Sequence, residues 1–525
     1  MQTHCYLFNE QCDVESWLNL MVKNDRWQQE TWLDTQTTYY DTFDWRLYRK
    51  HTTLEANNLD GIPELAFRAA NGDLLARSSY TEEPGFVWDL PADQLRQQLE
   101  PLIKMRRLLP QVTVRGRQQN LALLNSDGKT VLRLKVFSDH QAIDPGGAQQ
   151  PLRQYLQILP VRGYRSAVRR IDALLSSDSF LHAATVDPLA DALSALGRSP
   201  ADYSSKLDLT LQPTLTAQQA LRNILRHLLT TLKANIDGTC NDIDSEFLHD
   251  LRVSVRRTRS ALSQLKGLLP GEELAPFREG FAWLGNITGP TRDLDVYLLK
   301  YADYVQRLPE NHRQDLVPFH DFLKQRQTGE QKTLAALLQG AKSSKLLDHW
   351  QDLLDQEREP DPALPDAELP VKKVADRRIW KLYKRSVKEG QAITSETPAE
   401  ALHELRKTCK KLRYLLEFFQ SLYPANDMAS LIKALKVLQD NLGDFNDFEV
   451  QSEAMHSFGL QMAKMKKAPP ATLLAMGMLA ESLRHQQLQT RQEFERRFAT
   501  FCADQNYELF HQLFGRKKGK GASKT

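Results

Sequence analysis

A chain of 525 residues with 41% apolar and 26% charged residues has an ordinary globular composition and room for about two to four domains. Its formal net charge of +3 is too small for bulk charge to mark a nucleic-acid binder. Any anion site must come from where the basic residues lie rather than from how many there are.

Five scattered cysteines, with no CxxC pair, argue against both a disulfide framework and a zinc site. No stretch approaches the ~20 apolar residues that span a bilayer. The opening MQTHCYLFNEQCDVE has neither a basic n-region nor an apolar h-region, so a cytoplasmic protein without membrane contact is expected.

Residues 1 to 200 read as mixed strand and helix. Polar and apolar residues alternate in 63–69 (PELAFRA), 130–137 (TVLRLKVF) and 153–160 (RQYLQILP), as in half-buried strands. SDGK at 126–129 reads as a turn between two strands. The polar stretch from Ser199 to Pro213, with two prolines, marks a domain boundary. From about 214 the pattern becomes that of long amphipathic helices. A proline-rich, acidic break at 356–370 divides the helical part into two halves.

The two halves resemble each other. LHDLRVSVRRTR at 248–259 matches LHELRKTCKKLR at 402–413, an offset of 154 residues. Pro270 and Pro424 follow at that offset, as do TRDLDV at 291–296 and FNDFEV at 445–450. An ungapped match over separated motifs indicates duplication of a helical unit.

Periodicity then sorts the faces. Leu248, Leu251, Val255, Thr258, Leu262, Leu265 and Leu269 follow 3/4 spacing and form a core-facing seam; Leu402, Leu405, Cys409, Leu412, Leu416, Phe419 and Tyr423 repeat it. One residue on is about 100° of helix rotation. His249, Arg252, Arg256 and Arg259 therefore form a second stripe, repeated by His403, Arg406, Lys410 and Arg413. Acids are nearly absent from both stripes, and unpaired like charges at i,i+4 repel unless an anion offsets them.

A third basic stretch, VKKVADRRIWKLYKRSVK at 371–388, places Lys373, Arg377, Lys381, Lys384 and Lys388 on one face and Val371, Ala375, Ile379 and Leu382 on another. Its counterpart near 217–234 carries Arg222, Arg226, His227 and Lys233. Asp293 and Asp447 are candidate hydrogen-bond partners for the histidines. Asp293, Asp295, Asp447 and Glu449 are candidate ion-pair partners of the stripe arginines. No HxxxH or HExxH spacing suggests a metal.

On these motifs, residues 210–512 resemble a CHAD domain, the conserved-histidine α-helical domain. The resemblance implies two pseudo-symmetric four-helix bundles, with repeat halves at about 214–355 and 370–512. It also implies binding of inorganic polyphosphate through His249, Arg252, Arg256, Arg259, His403, Arg406, Lys410 and Arg413. Lys373, Arg377, Lys381, Lys384, Arg222 and Arg226 are candidate additions. Residues 1–200 resemble a CYTH domain, a triphosphate tunnel, through YYDTFDWRL at 39–47. That family opens on an ExExK strand, whereas this chain opens MQTHCYLFN; its carboxylate strands read LRLKVF and QYLQILP here. Phosphoryl chemistry with Mg²⁺ or Mn²⁺ needs such carboxylates.

The expected architecture is therefore multidomain α+β. An antiparallel β tunnel or barrel-like domain, degenerate and without hydrolase activity, precedes the all-α domain, and a basic disordered tail occupies 513–525. Arg68, Arg115, Arg117, Arg133 and Lys135 are candidates to line an anion cavity in the first domain. No catalytic residue, metal or cofactor is expected. A metal-dependent triphosphatase and a nucleic-acid binder are the alternatives; the latter is disfavoured by the shortage of aromatics to stack bases. A scaffold at polyphosphate granules, with granule-associated proteins as partners, would use the same stripes.

Overall fold

The computed structural model describes residues 4–515, apart from 24, 60, 61, 81, 357–360 and 467. The chain divides into two compact units, residues 1–204 and 205–525. The expected basic tail falls almost wholly in 516–525, outside the described residues, as do 357–360 of the expected linker.

The first unit is built on strands β1 (His4–Phe8), β2 (Trp27–Gln29), β3 (Leu33–Asp41), β4 (Thr52–Leu59), β5 (Ile62–Ala69), β6 (Leu74–Ser79), β7 (Leu109–Leu124), β8 (Thr130–Ile143), β9 (Gln149–Pro151), β10 (Tyr155–Pro160) and β11 (Leu181–Ala184). Helices α1 (Val14–Lys23), α2 (Gln94–Ile103), α3 (Arg165–Ser176) and α4 (Pro188–Ala195) accompany them. The sheet runs β11-β1-β10-β8-β7-β3-β4-β5-β6, antiparallel throughout, with β2 added to β7 and β9 to β8. SDGK forms the turn between β7 and β8, where Gly128 adopts φ +74°.

Alternation gives β8 its two faces. Leu132, Leu134 and Val136 join the apolar core under α1 and α3, and Arg133, Lys135 and Phe137 point the other way. YYDTFDWRL closes β3 with a tight loop. The Asp41 carboxylate there accepts backbone N–H groups of Thr42, Leu47 and Tyr48 at 2.7, 3.0 and 2.8 Å. These bonds give the segment a structural role.

The second unit comprises α5 (Ala217–Ala234), α6 (Ile236–Cys240), α7 (Ser245–Gln264), α8 (Gly271–Ile287), α9 (Gly289–Leu299), α10 (Tyr301–Arg307), α11 (Val317–Gln339) and α12 (Ala341–Asp355). Its second half supplies α13 (Val371–Gln391), α14 (Ala399–Phe419), α15 (Ala425–Lys464), α16 (Pro470–Phe501) and α17 (Asp504–Phe514). Local chemistry starts these helices. Thr216 and Gln219 form a capping box on α5, and Asp244 accepts the N–H groups of Glu246 and Phe247 to open α7.

The duplication has a backbone signature. Ala217 N–H donates to Leu369 O at 2.8 Å, and Val371 N–H donates to Leu215 O at 3.0 Å. Residues 215 and 369, and 217 and 371, are both 154 apart. The two entry segments thus pair with each other antiparallel, as a pseudo-twofold axis requires.

Every seam residue expected on α7 and α14, with the loop residues that continue each seam, is buried. All of them but Thr258 belong to one apolar cluster containing residues of both halves, from Leu221 and Leu251 to Ile379 and Leu412. A second shared cluster joins α9, α10 and α11 to α15 and α16 through Tyr304, Phe319, Met455 and Leu479. The halves therefore share cores and do not stand as separate bundles. They differ where Gly289 and Pro290 interrupt the first: α8 and α9 break at Thr288, whereas α15 runs unbroken through Gly443 and Asp444.

Candidate functional site

On α7, Arg256 and Arg259 are exposed, and His249 and Arg252 are half-buried. Arg252 lies against the α8–α9 junction, donating to Gly285 O at 3.3 Å and Thr288 Oγ1 at 2.9 Å. Two glycines lie beside these cations: a Cβ on Gly285 would stand 3.0 Å from Arg259 Nη1, and one on Gly289 would make an ordinary 3.7 Å contact with Arg252 Nη1. Burial pushes the Arg252 and Arg292 guanidiniums down and the Asp293 carboxyl up; Asp293 opposes the shift of Arg252, Glu246 and Asp295 that of Arg292, and both arginines that of Asp293. Asp295 is pushed up to about 6 by burial, against a hydrogen bond from Gln327 at 3.1 Å.

On α14, all four stripe residues are half-buried. Burial, then Arg406, Arg256 and Arg413, push the Lys410 ammonium down to about 8, against the pull of Asp447. Arg256 comes from α7 and the other two arginines from α14, so the stripes of the two halves converge at the seam between these helices. Among the described residues, Arg256, Arg259 and Lys410 have no ion-pair partner.

The other stripe cations are less free than the sequence suggested. Arg413 pairs with Glu417 at 2.7 Å, and Arg406 lies 3.5 Å from Asp447. Glu417 also holds Arg257 of α7 at 2.9 Å, and both of those side chains are only 13% exposed. Arg377 pairs with Asp366. Acids from neighbouring turns and helices supply the partners that a single-helix reading omits.

The histidines find different partners. His403 Nε2 lies 2.8 Å from Glu449 Oε2, not against Asp447. His249 Nδ1 meets the Arg292 Nη2 donor at 3.1 Å, not Asp293. A guanidinium can only donate, so His249 Nδ1 accepts and its proton resides on Nε2. Arg292 also donates to Ser245 O at 2.9 Å and approaches Glu246 at 3.8 Å. The TRDLDV motif contained this arginine, but the aspartates drew the expectation.

The third basic face is only partly joined to the stripes. Lys373, Arg377, Lys381 and Lys384 are exposed on α13, while Val371, Ala375, Ile379 and Leu382 are buried. Lys384 lies over the Trp380 ring, which meets His511 of α17. One link reaches the turn after α7: Arg378 Nη2 donates to Lys266 O at 2.9 Å.

Arg222 corrects the sequence reading. It is 6% exposed, and its guanidinium donates to the carbonyls of Leu353, Leu354 and Gln356, closing the C-terminus of α12. Arg226 does the same for Leu354 O and pairs with Asp355 at 3.0 Å. An apolar helix start looks alike in sequence whether its arginines cap a neighbour or face solvent.

In the first unit, Arg68 on β5 and Lys135 on β8 are close enough for Arg68 to add to the burial that lowers the Lys135 ammonium. Three strands separate β5 from β8 in the sheet order. Arg68 is held by Glu55 at 3.0 Å. The other candidates for an anion cavity do not gather there. Arg115 donates to Gln36, Arg133 is exposed, and Arg117 binds Asp139 and Glu15 of α1.

Residues 223–456 match the family model of the CHAD domain. The helical unit carries a CHAD domain. An uncharacterized protein of Mycobacterium tuberculosis is 27% identical over 63% of this chain and 62% of its own length, so the chain spans less than two thirds of that relative. The CHAD domain of the plant Ricinus communis superposes with a TM-score of 0.49 at 23% identity, over 57% of this chain and 96% of the plant structure. A Hippeastrum protein proposed as an adenylyl cyclase, and described as having a dominant triphosphatase activity, gives a TM-score of 0.28 at 9% identity over 38% of this chain and 99% of its own. No helix among the described residues is long and apolar enough to cross a membrane.

Proposed function

We propose that the CHAD domain binds inorganic polyphosphate without turning it over, along the paired stripes of α7 and α14. One observation carries this reading: Arg256, Arg406, Lys410 and Arg413 gather at the seam between the halves with too few acids to neutralise them. A fold that holds like charges this close sustains a standing electrostatic cost. A flexible polyanion with about one charge per repeating unit offsets that cost, and arginine contacts phosphate oxygens bidentately. For the first unit, the missing ExExK strand and the pairing of Arg68 with Glu55 support a CYTH-like domain without hydrolase activity.

The test is a titration of the full chain with long-chain polyphosphate at two salt concentrations, with Arg252→Glu/Arg406→Glu alongside and DNA as competitor. Tight binding that weakens steeply with salt, that the variant loses by roughly 100-fold or more, and that DNA does not match is the expected result. Unchanged binding in a folded variant would remove the stripes from the site. Preferential displacement by DNA would favour a nucleic-acid partner, and phosphate release from tripolyphosphate with Mg²⁺ would make the first unit an enzyme.

A further inference from the structure

Beyond Arg259 the α7 stripe does not end. α7 stops at Gln264, and Gly267 takes a φ of +81°, which turns the chain just after Lys266. Pro270 then starts α8, whose third turn carries Arg278. Between the two helices lies an open cleft of about 300 Å³ lined by Arg259, Leu262, Ser263, Lys266 and Arg278. Three of the five lining side chains are cations and none is an acid. None of the three has an ion-pair partner among the described residues. Two contacts from outside fix the geometry. Gly285 leaves Arg259 its place against α8, and Arg378 of α13 anchors the turn at Lys266 O.

The duplication supplies a control inside the molecule. At the offset of 154 the five lining positions become Arg413, Leu416, Glu417, Gln420 and Ile432. The leucine and the first arginine are kept, but that arginine is neutralised by Glu417, and the other two cations are gone. The trio of cations is therefore a feature of the first half, and the track of cations along the CHAD domain has two unlike ends.

We propose that this cleft binds the terminal phosphoryl group of a polyphosphate chain whose interior lies along the stripes. The proposal rests on the polyphosphate reading above and deepens it. An internal phosphoryl unit carries about one negative charge, whereas a terminal one ionises further, toward two near neutral pH, as a phosphomonoester does. Three convergent cations suit the more highly charged group. The asymmetry would thread the polymer in one register.

The test compares linear tripolyphosphate with cyclic trimetaphosphate, which has the same number of phosphorus atoms and no ends, by calorimetric titration of the full chain. Three variants run alongside. Lys266→Gln/Arg278→Gln empties the cleft, Ser263→Glu gives it the acid that the second half has, and Arg406→Gln weakens the stripe elsewhere. The wild type should favour the linear form, and both cleft variants should shrink that preference by about tenfold, the worth of one lost charge-assisted contact. Arg406→Gln should weaken both ligands and leave their ratio. A ratio unchanged in folded cleft variants, or no preference in the wild type, overturns the proposal. Long-chain polyphosphate separates the two readings. If it fails to bind while tripolyphosphate binds through the cleft, the stripes fall and the cleft stands; the reverse result removes the cleft alone.

Discussion

The two halves of the CHAD domain hold the same seam and different charges. Leu251 and Leu405, Val255 and Cys409, Leu262 and Leu416 are buried in equivalent places. Beside that seam the first half leaves Arg256 and Arg259 without an ion-pair partner among the described residues, places Arg292 against His249, and opens a cleft with Lys266 and Arg278. The second half sets Glu417 on Arg413, Asp447 by Arg406 and Glu449 on His403. Packing tolerates little change at a core position, because a void or clash of one methylene is felt throughout the cluster. A surface charge is constrained only by its ligand and its partners. Duplicated helices can therefore drift apart in charge while their cores stay aligned.

Glu417 is the sharpest point of difference, and its removal should have the largest effect. It bridges Arg257 of α7 and Arg413 of α14 from a mostly buried position. Glu417→Ser installs the residue found at the matching position of the first half, Ser263. The change leaves Arg257 without its carboxylate and should cost about 3 kcal/mol of stability, as breaking a buried pair does. The freed Arg413 should at the same time tighten polyphosphate binding. Chemical denaturation and titration of one sample would show both effects. Lost stability together with lost affinity would mean that Glu417 orders the site and does not merely mask it.

How much of this was legible in advance follows from what the sequence encodes locally. The 154-residue offset, the buried seams, the SDGK turn and the faces of α13 all depend on neighbours within a few turns, and periodicity reports those directly. Partners across helices are not encoded that way. Arg222 and Arg256 both sit on amphipathic helices, yet one closes the end of α12 and the other joins the basic seam. Glu417 reads as an ordinary i,i+4 partner of Arg413, and only the fold reveals Arg257 on its other oxygen. The shared cores were equally hidden, since the break at 356–370 suggests separation while the apolar surface favours merging.

Lys410 offers the next largest test, because it joins the halves electrostatically. Its ammonium has been pushed from 10.5 to about 8 by burial and by Arg406, Arg256 and Arg413. The sign differs between folding and binding. The free folded chain holds fewer protons than the unfolded chain between about pH 8 and 10.5, so Lys410 alone makes folding more favourable as pH rises through that window. A bound polyanion favours the protonated form, so affinity should fall as pH rises through about 8. Between pH 7 and pH 9 a loss of about tenfold is expected for one charge-assisted contact. Lys410→Arg, which stays charged, should flatten the profile. A wild-type affinity that is level from pH 7 to pH 9 would show that Lys410 does not reach the ligand.

The smallest effect should come from exchanging the residues beside the histidines. Arg292 and Asn446 occupy matching positions, so Arg292→Asn makes the first half resemble the second. The variant loses one half-buried cation and the donor that it points at His249 Nδ1. Arg292 is already engaged by Ser245 O and Glu246, which should hold the change in polyphosphate affinity to about threefold, well under the worth of a full charged contact. The structural readout is larger than the energetic one. Nitrogen-15 chemical shifts should show His249 in the wild type as the tautomer with its proton on Nε2, and should show that preference relaxing in Arg292→Asn. A wild-type His249 with its proton on Nδ1 would contradict the contact with Arg292, and with it the claim that one half holds its histidine by a cation and the other by a carboxylate.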